Sequence, residues 1–188
     1  MAYLRPGADP LRNFKFQVSF AHPLFQPSAF ANMSFTNVSG LSMNTEMIPY
    51  REGGWNTNFH KLPGQTDFGP LTLVQGIMPN RDGMWQMAKN IFAIQQGGGS
   101  ASTGLAQGAD FRFTTTIRVL DHPVTVGDAS GFNGSPAGAK LAFVIYECWT
   151  GTVAFNDLDA SGNAVLISQM TMHHEGFDVL FGADAIAA

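Results

Sequence analysis

The chain has 188 residues and a formal net charge of −4, and only 13% of its residues are charged, against about 25% in a typical soluble domain. The length fits one domain with a sizeable core, and the acidic balance argues against a dedicated nucleic-acid binder with a basic face. No run approaches the roughly 20 apolar residues that a membrane helix requires, so a membrane does not explain the shortage of charge.

The residue types favour assembly with other copies. The chain contains 16 Phe and 9 Met, and aromatic residues and Met are enriched at interfaces while Lys and Glu are depleted. The alternative is a poorly charged monomer that its Ser, Thr, Asn and Gln side chains keep soluble. The N-terminus lacks the apolar core of a secretory signal, so we expect the chain to be made in the cytoplasm.

A strand and a long hairpin are predicted in the first third of the chain. Residues 13–20 (NFKFQVSF) alternate with the period of a strand. The stretch 37–64 alternates up to Met47, breaks at the Pro- and Gly-rich residues 49–54, and ends at a second turn, Pro63-Gly64. The outer part of this hairpin carries too few apolar residues to pack on its own domain. Because an isolated hairpin is marginal in water, we expect it to need a partner. Leu41, Met43, Thr45 and Met47 share one face of its first strand, and Ser42, Asn44 and Glu46 share the other, so the end of the hairpin near the core is expected to be half buried.

The middle of the chain predicts a short strand, one helix and two loops. The strand covers 70–75, and the segment 83–96 has the three- and four-residue apolar spacing of an amphipathic helix. Asp82 is the expected N-cap of the helix, and Trp85 is expected to anchor it in the core. Gly-rich flexible loops are predicted at about 97–109 and 127–139.

Further strands are predicted at 111–120, 141–149, 152–155 and 164–174. The unbroken apolar run 141–149 is typical of a strand buried on both faces, and its Cys148 is expected to be a buried free thiol. The tail after residue 177 is apolar enough to suggest docking on a surface.

These elements predict a mainly β chain. With one helix and no βαβ alternation, it is expected to form an antiparallel β-barrel or sandwich with one flanking α-helix. A long hairpin arm at about residues 43–59 protrudes from this body, and the whole chain, 1–188, forms a single domain.

No motif predicts catalysis, a cofactor or a metal. Residues 157–162 begin like a calcium loop, but its twelfth position holds Ser168 instead of a bidentate acid. His173 and His174 would point to opposite faces of a strand, which disfavours a shared metal ion. No Gly-rich loop carries a phosphate-binding lysine, and no Ser lies in a nucleophile elbow.

The order of several motifs resembles the tail tube protein family of contractile bacteriophages, whose relatives form the inner tubes of phage-like contractile injection systems. The resemblance covers most of the chain, and the succession of YREGG, KLPG and a strand is its most specific part. The motifs are DPLRNFKFQVSF (9–20), FTNVSGLSMNTEMIPYREGG (35–54), HKLPG (60–64), LTLVQGI (71–77), Trp85, and FNDLDASGNAVLISQMTMHHEGF (155–177).

This resemblance implies a structural subunit. Six copies form a ring, and rings stack into a hollow tube inside a contractile sheath. The arm is expected to contact neighbouring subunits and the next ring. The expected interface residues are Met47, Pro49, Tyr50, Arg51, Glu52, Gly53, Gly54 and Trp55.

The resemblance also implies the partners. They are further copies of the chain, the sheath protein, baseplate and terminator proteins, and the tape measure protein during assembly. DNA or protein cargo would pass through the lumen without specific binding, and no membrane partner is expected. The expected location is the virion tail or an injection particle, assembled in the host bacterial cytoplasm.

The sequence departs from the family at the two long loops and at Ser168-Gln169, where relatives commonly carry an acid. Two alternatives remain open. One is a baseplate or terminator protein of the same machinery, which forms a single ring. The other is a secreted carbohydrate-binding β-sandwich, for which a signal segment and exposed loop aromatics would be expected.

Overall fold

The computed structural model describes residues 11, 13–21, 35–54, 57–77, 83–95, 111–120, 139–159, 165–182 and 184–185. The loop predicted at 97–109 lies outside these residues, as do Asp82 and all of the loop predicted at 127–139 except Ala139, which begins a strand.

The described part of the chain contains nine strands and one helix. Every strand pair is antiparallel, and the sheet does not close on itself, so the fold is a sandwich and not a closed barrel. The elements are β1 (Phe16–Ala21), β2 (Asn37–Ser39), β3 (Met43–Tyr50), β4 (His60–Phe68), β5 (Leu71–Gly76), α1 (Gly83–Gln95), β6 (Phe113–Leu120), β7 (Ala139–Phe155), β8 (Ile167–His173) and β9 (Gly176–Phe181).

Strand β7 belongs to both layers of the sandwich. Its first part pairs with β6 and β9, which with β1 form one layer. Its last part pairs with β8, which continues through β5 to β2 in the other layer. Glu147, between the two parts, has a φ of 54°, and this left-handed conformation bends the strand, as irregularities at sandwich corners commonly do.

The sequence-based prediction for this region was partly wrong. It separated 141–149 from 152–155, whereas Gly151 lies inside one continuous strand. Burial on both faces holds for Ala142 and Ile145, each 0% exposed, which lie in separate apolar clusters. It fails at Tyr146, which is 41% exposed because its side chain turns outward to donate a hydrogen bond to Asp178.

The core lies between the two layers. Its fully buried side chains include Leu71 and Leu73 from β5 and Met170 and Met172 from β8. Period-two alternation explains these positions, since alternate residues of one strand face one side of the sheet.

The helix α1 closes one side of this core through Met84 and Met87, and it packs against β7. Trp85 is not the core anchor that the sequence predicted, since it is 44% exposed. Because Met84 and Met87 occupy the inward stripe, Trp85 lies at its margin. Its ring lies 6.4 Å from that of Phe155, centroid to centroid.

The tail docks on the sandwich itself. Ala185 is fully buried against Leu120, Ala139 and Ala142, with Leu180 packed beside them. Within the described residues, no helix is long and apolar enough to cross a membrane.

Candidate subunit interface

The hairpin formed by β3 and β4, called the arm (43–68) below, is the largest exposed element of the described chain. Its two strands pair with each other in a separate two-stranded sheet, from Met43 opposite Phe68 to Tyr50 opposite His60. The arm is therefore longer than the predicted 43–59. The sequence predicted a turn at Pro63-Gly64, but both residues lie inside β4.

A bulge explains how β4 accommodates Pro63 and Gly64. Pro63 lies opposite Met47, and the next two residues of β4 face the single residue Glu46. A proline in a strand is tolerated at edges and bulges, because it has no N–H to give to the ladder. A Cβ on Gly64 would lie 3.0 Å from the carbonyl oxygen of Glu46, so the close approach of the two strands favours glycine.

All eight residues of β3 are exposed. The predicted half burial of the core end holds for Leu41, which is partly buried and packs on the core before the strand begins, but it does not extend to Met43, which is 62% exposed. The chain leaves the sandwich between these two residues, so the alternation continues where the body no longer covers it.

Both faces of the arm carry apolar side chains. Met43 and Met47 lie on the first face, as the sequence indicated. The second face carries Ile48, Leu62 and Tyr50, which are 50%, 51% and 53% exposed. Ile48 lies directly opposite Leu62, so these side chains form a continuous apolar patch, which we call the tip patch (Ile48, Tyr50, Leu62).

Sequence reasoning missed most of the tip patch. It predicted that the outer part of the hairpin carries few apolar residues. Only the strand register places Leu62 beside Ile48. The alternation continuing through Ile48 and Tyr50 is the signal that would have found the patch.

The predicted interface residues cluster at the end of the arm, and each of those that the structure describes is exposed. Gly54 has a φ of 97°, a conformation that glycine adopts without steric cost. Trp55 lies outside the described residues. The exposed ones are Met47, Pro49, Tyr50, Arg51, Glu52, Gly53 and Gly54.

The arm continues a hairpin of the body in unchanged register. Ser39 pairs with Thr72 in the body, and Met43 pairs with Phe68 in the arm, with three residues on each strand between these pairs. Gly40 kinks the first strand with a φ of 100°. The arm is thus an outgrowth of β2 and β5 and not an inserted unit.

A small cluster of ion pairs lies at the bend in β7. Arg112 lies 3.5 Å from a carboxylate oxygen of Glu147 and 3.1 Å from one of Glu175. All three side chains are substantially exposed, so the contribution to stability is small, roughly 0–1 kcal/mol per pair.

The thiol of Cys148 and the imidazole rings of His173 and His174 all contact other groups of the protein. Cys148 is a buried free thiol, as predicted, and burial raises the pKa of this thiol. His173 stacks on Trp149 with ring centroids 4.7 Å apart, whereas His174 faces the base of the arm. Within the described residues, no group of three or more His, Cys, Asp or Glu side chains is placed to hold a metal ion.

The chain belongs to the T4-like virus tail tube protein gp19 family, whose sequence profile it matches over residues 12–178. This family is one of structural tube proteins. No curated protein matches the chain by sequence.

Solved structures with the same fold come from contractile injection machines. A protein of the anti-feeding prophage baseplate, reconstructed with six-fold symmetry, is 20% identical with a TM-score of 0.68, and the match covers 93% of this chain and 98% of that chain. A protein of the anti-feeding prophage tube-terminating cap is 18% identical with a TM-score of 0.65, over 97% and 100%. A protein of the extended sheath-tube complex of PVC, an extracellular contractile injection system, is 17% identical with a TM-score of 0.65. The match covers 92% of this chain and 93% of that chain.

Proposed function

We propose that this chain is the repeating subunit of a hollow tail tube, in which rings of six copies stack head to tail inside a contractile sheath. One observation carries this proposal. The chain belongs to the tail tube family, and its arm exposes apolar side chains on both faces. A two-stranded ribbon that its own body leaves uncovered is stable only when other chains cover it. The ring number of six follows from the family resemblance.

Two strand edges suit the contact within a ring. β1 and β9 are the outer strands of one layer, and each has six residues. Among the described strands, none pairs with the outer side of either. Joining β9 of one copy to β1 of the next would pair both edges, and repetition of this head-to-tail contact around a closed ring would leave no unpaired edge in this layer.

The arm suits the contact between rings. Its described tip residues, 47–54, are all exposed, and we assign residues 47–55 to contacts with neighbouring subunits and the next ring. Burial of the tip patch would contribute roughly 25 cal/mol for each Å² of apolar surface removed from water. Since every subunit repeats the contact, a modest energy per arm is multiplied along the tube.

The remaining partners follow from this role. They are the sheath protein outside, baseplate and terminator proteins at the ends, and the tape measure protein during assembly. The lumen passes DNA or protein cargo without specific binding. We place the assembled protein in the virion tail or an injection particle, built in the host bacterial cytoplasm.

A single-ring baseplate or terminator protein is the second candidate, because the similar structures include a baseplate protein and a cap protein. Negative-stain electron microscopy of the purified chain distinguishes the two roles. Long hollow tubes support the repeating subunit. Isolated rings that do not lengthen with concentration would favour the second candidate, and monodisperse monomers would contradict both.

A further inference from the structure

We propose that His174 is a positioning residue for the arm, which latches its base to the corner between β8 and β9 and so sets the angle at which the arm projects. The inference rests on the proposed role of the arm in joining rings. It concerns a residue at the opposite end of the arm from the expected contact residues.

The base of the arm has few constraints of its own. The ladder is weakened there because Pro70 has no N–H to donate, and Gly40 adopts a left-handed conformation. Gly69 donates a backbone hydrogen bond to the carbonyl of Ser42 over 3.1 Å. A Cβ on Gly69 would lie 2.5 Å from the Ser42 hydroxyl oxygen, so the strands touch closely but have no bulky side chains between them.

His174 supplies a constraint from outside the hairpin. Its Nε2 lies 2.9 Å from the carbonyl oxygen of Gly69. Because a carbonyl oxygen only accepts, Nε2 carries the hydrogen and donates it. Nδ1 is buried and accepts no hydrogen bond from the described residues, so among them the bond to Gly69 is the polar contact that orients the ring.

The neighbouring residue of the arm is held at the same corner. The ring of Phe68 lies 5.9 Å from that of His174 and 5.8 Å from that of Phe177, between centroids. Gly176 lies against the same ring, since a Cβ there would be in ordinary van der Waals contact with Phe68 at 3.6 Å. Phe68, the last residue of β4, and Gly69, which follows it, are therefore both in contact with this corner of the sandwich.

The sandwich does not need this contact to complete its own sheets. Met172 pairs with Leu71 on one side of β8, and His173 pairs with Trp149 on the other. His174 follows these last pairs, and its side chain bonds to a residue that belongs to neither layer. Loss of the bond is thus expected to free the arm more than it destabilises the body.

A fixed arm angle favours assembly. Ordering a mobile element on docking costs free energy, and an element held in its bound orientation avoids much of that cost. The hydrogen bond from His174 would thus keep the arm in its binding orientation before a second copy binds.

The test compares His174→Phe with His173→Phe. The first keeps a ring beside Phe68 but removes the donor, and the second makes the same change one residue earlier on the other face. Spin labels on Glu52→Cys at the tip and Gln169→Cys on β8 report the arm angle by pulsed electron paramagnetic resonance, at protein concentrations below those that support assembly. Cys148 is buried and stays unlabelled.

We expect His174→Phe to widen the tip-to-body distance distribution about two-fold. It should also raise the protein concentration needed for tube growth by about ten-fold, because each mobile arm must then be ordered when it docks. His173→Phe should leave both quantities unchanged. Equal effects in the two variants, or a narrow distribution in His174→Phe, would overturn the latch.

A second pair of variants keeps the test decisive if His174→Phe does not fold. His174→Gln retains an N–H donor and His174→Met does not, at similar size, so only Gln should keep the narrow distribution. The same breadth in both would overturn the proposal. If the unmodified protein forms no tubes, the proposed function fails, while the distance measurement still decides whether the latch exists.

Discussion

At the scale of single residues, the direction of the arm depends on Gly40. Its φ of 100° lies in the region that side-chain-bearing residues rarely adopt. A Cβ there would overlap the carbonyl oxygen of Pro70. Gly53 at the tip provides a contrast, since a Cβ there would meet no atom of the described residues within 4 Å.

Gly40→Ala is therefore expected to destabilise the protein by roughly 2 kcal/mol or more, because strain and overlap combine. Gly53→Ala is the matched control and should change the free energy of unfolding by less than about 0.5 kcal/mol. Urea denaturation of both variants measures the difference. Equal stability of the two would show that the kink does not need glycine.

Burial of Cys148 makes a second prediction at this scale. Burial raises the pKa of its thiol, which lowers the fraction of reactive thiolate at a given pH. We expect a thiol reagent at pH 8 to label the native protein at least roughly a hundred-fold more slowly than the unfolded protein, since labelling waits for opening of the core. Fast labelling of the native state would contradict the described packing.

At the scale of elements, the arm differs from the rest of the described chain because the apolar side chains near its tip are about half exposed. The tip patch is expected to be covered by another copy. Replacing Ile48 and Leu62 together by Ser should then prevent or strongly shorten tubes while the melting temperature of the monomer stays within a few degrees, since neither side chain is buried in it. Electron microscopy and calorimetry measure the two effects.

The control for this double variant lies on the opposite face of the same strands. Thr45→Ser with Thr66→Ser keeps the cross-strand hydroxyl pair, which is 3.0 Å apart, and changes little apolar surface. Tubes of normal length are expected from it. Tubes of normal length from the Ile48 and Leu62 variant would remove the tip patch from the interface.

Making the turn at Gly53-Gly54 rigid offers an independent test of the arm. Gly53→Pro with Gly54→Pro fixes two φ angles and removes two backbone donors, and Gly54 has a φ of 97° that proline cannot adopt. We expect rings or monomers without long tubes, scored by negative-stain microscopy. Unimpaired tube growth would argue against any role of the tip in stacking.

Elements with one buried face were predictable from the sequence, and elements that depend on register or on other chains were not. The strand near 13–20 alternates because the core covers one side of it, and Phe113 and Ile117 of the strand near 111–120 alternate into the same core. Trp85 was misplaced because apolar spacing alone does not say which of the adjacent Met84 and Trp85 turns inward. The tip patch was missed because Leu62 becomes a neighbour of Ile48 only through the strand pairing.

At the scale of the whole molecule, the low charge of the chain fits a subunit whose surface lies mostly against other proteins. The low charge also bears on how cargo passes through the lumen. Basic surfaces bind nucleic acid tightly through counterion release, whereas a wall that lets cargo slide should be neutral or acidic.

We therefore predict a lumen poor in exposed Lys and Arg, consistent with the net charge of −4. Purified tubes should not retard linear DNA in gel electrophoresis, even at about 50 mM salt where basic surfaces bind strongly. Retardation that salt abolishes would indicate a basic wall and contradict the prediction.

A cryo-electron microscopy reconstruction of tubes assembled from the purified chain would show directly whether the arm joins the rings. We predict that the arm tip, residues 47–55, of each subunit lies against a subunit of the adjacent ring, with the tip patch covered. A reconstruction in which the rings stack while the arms point freely into solvent or the lumen would contradict it.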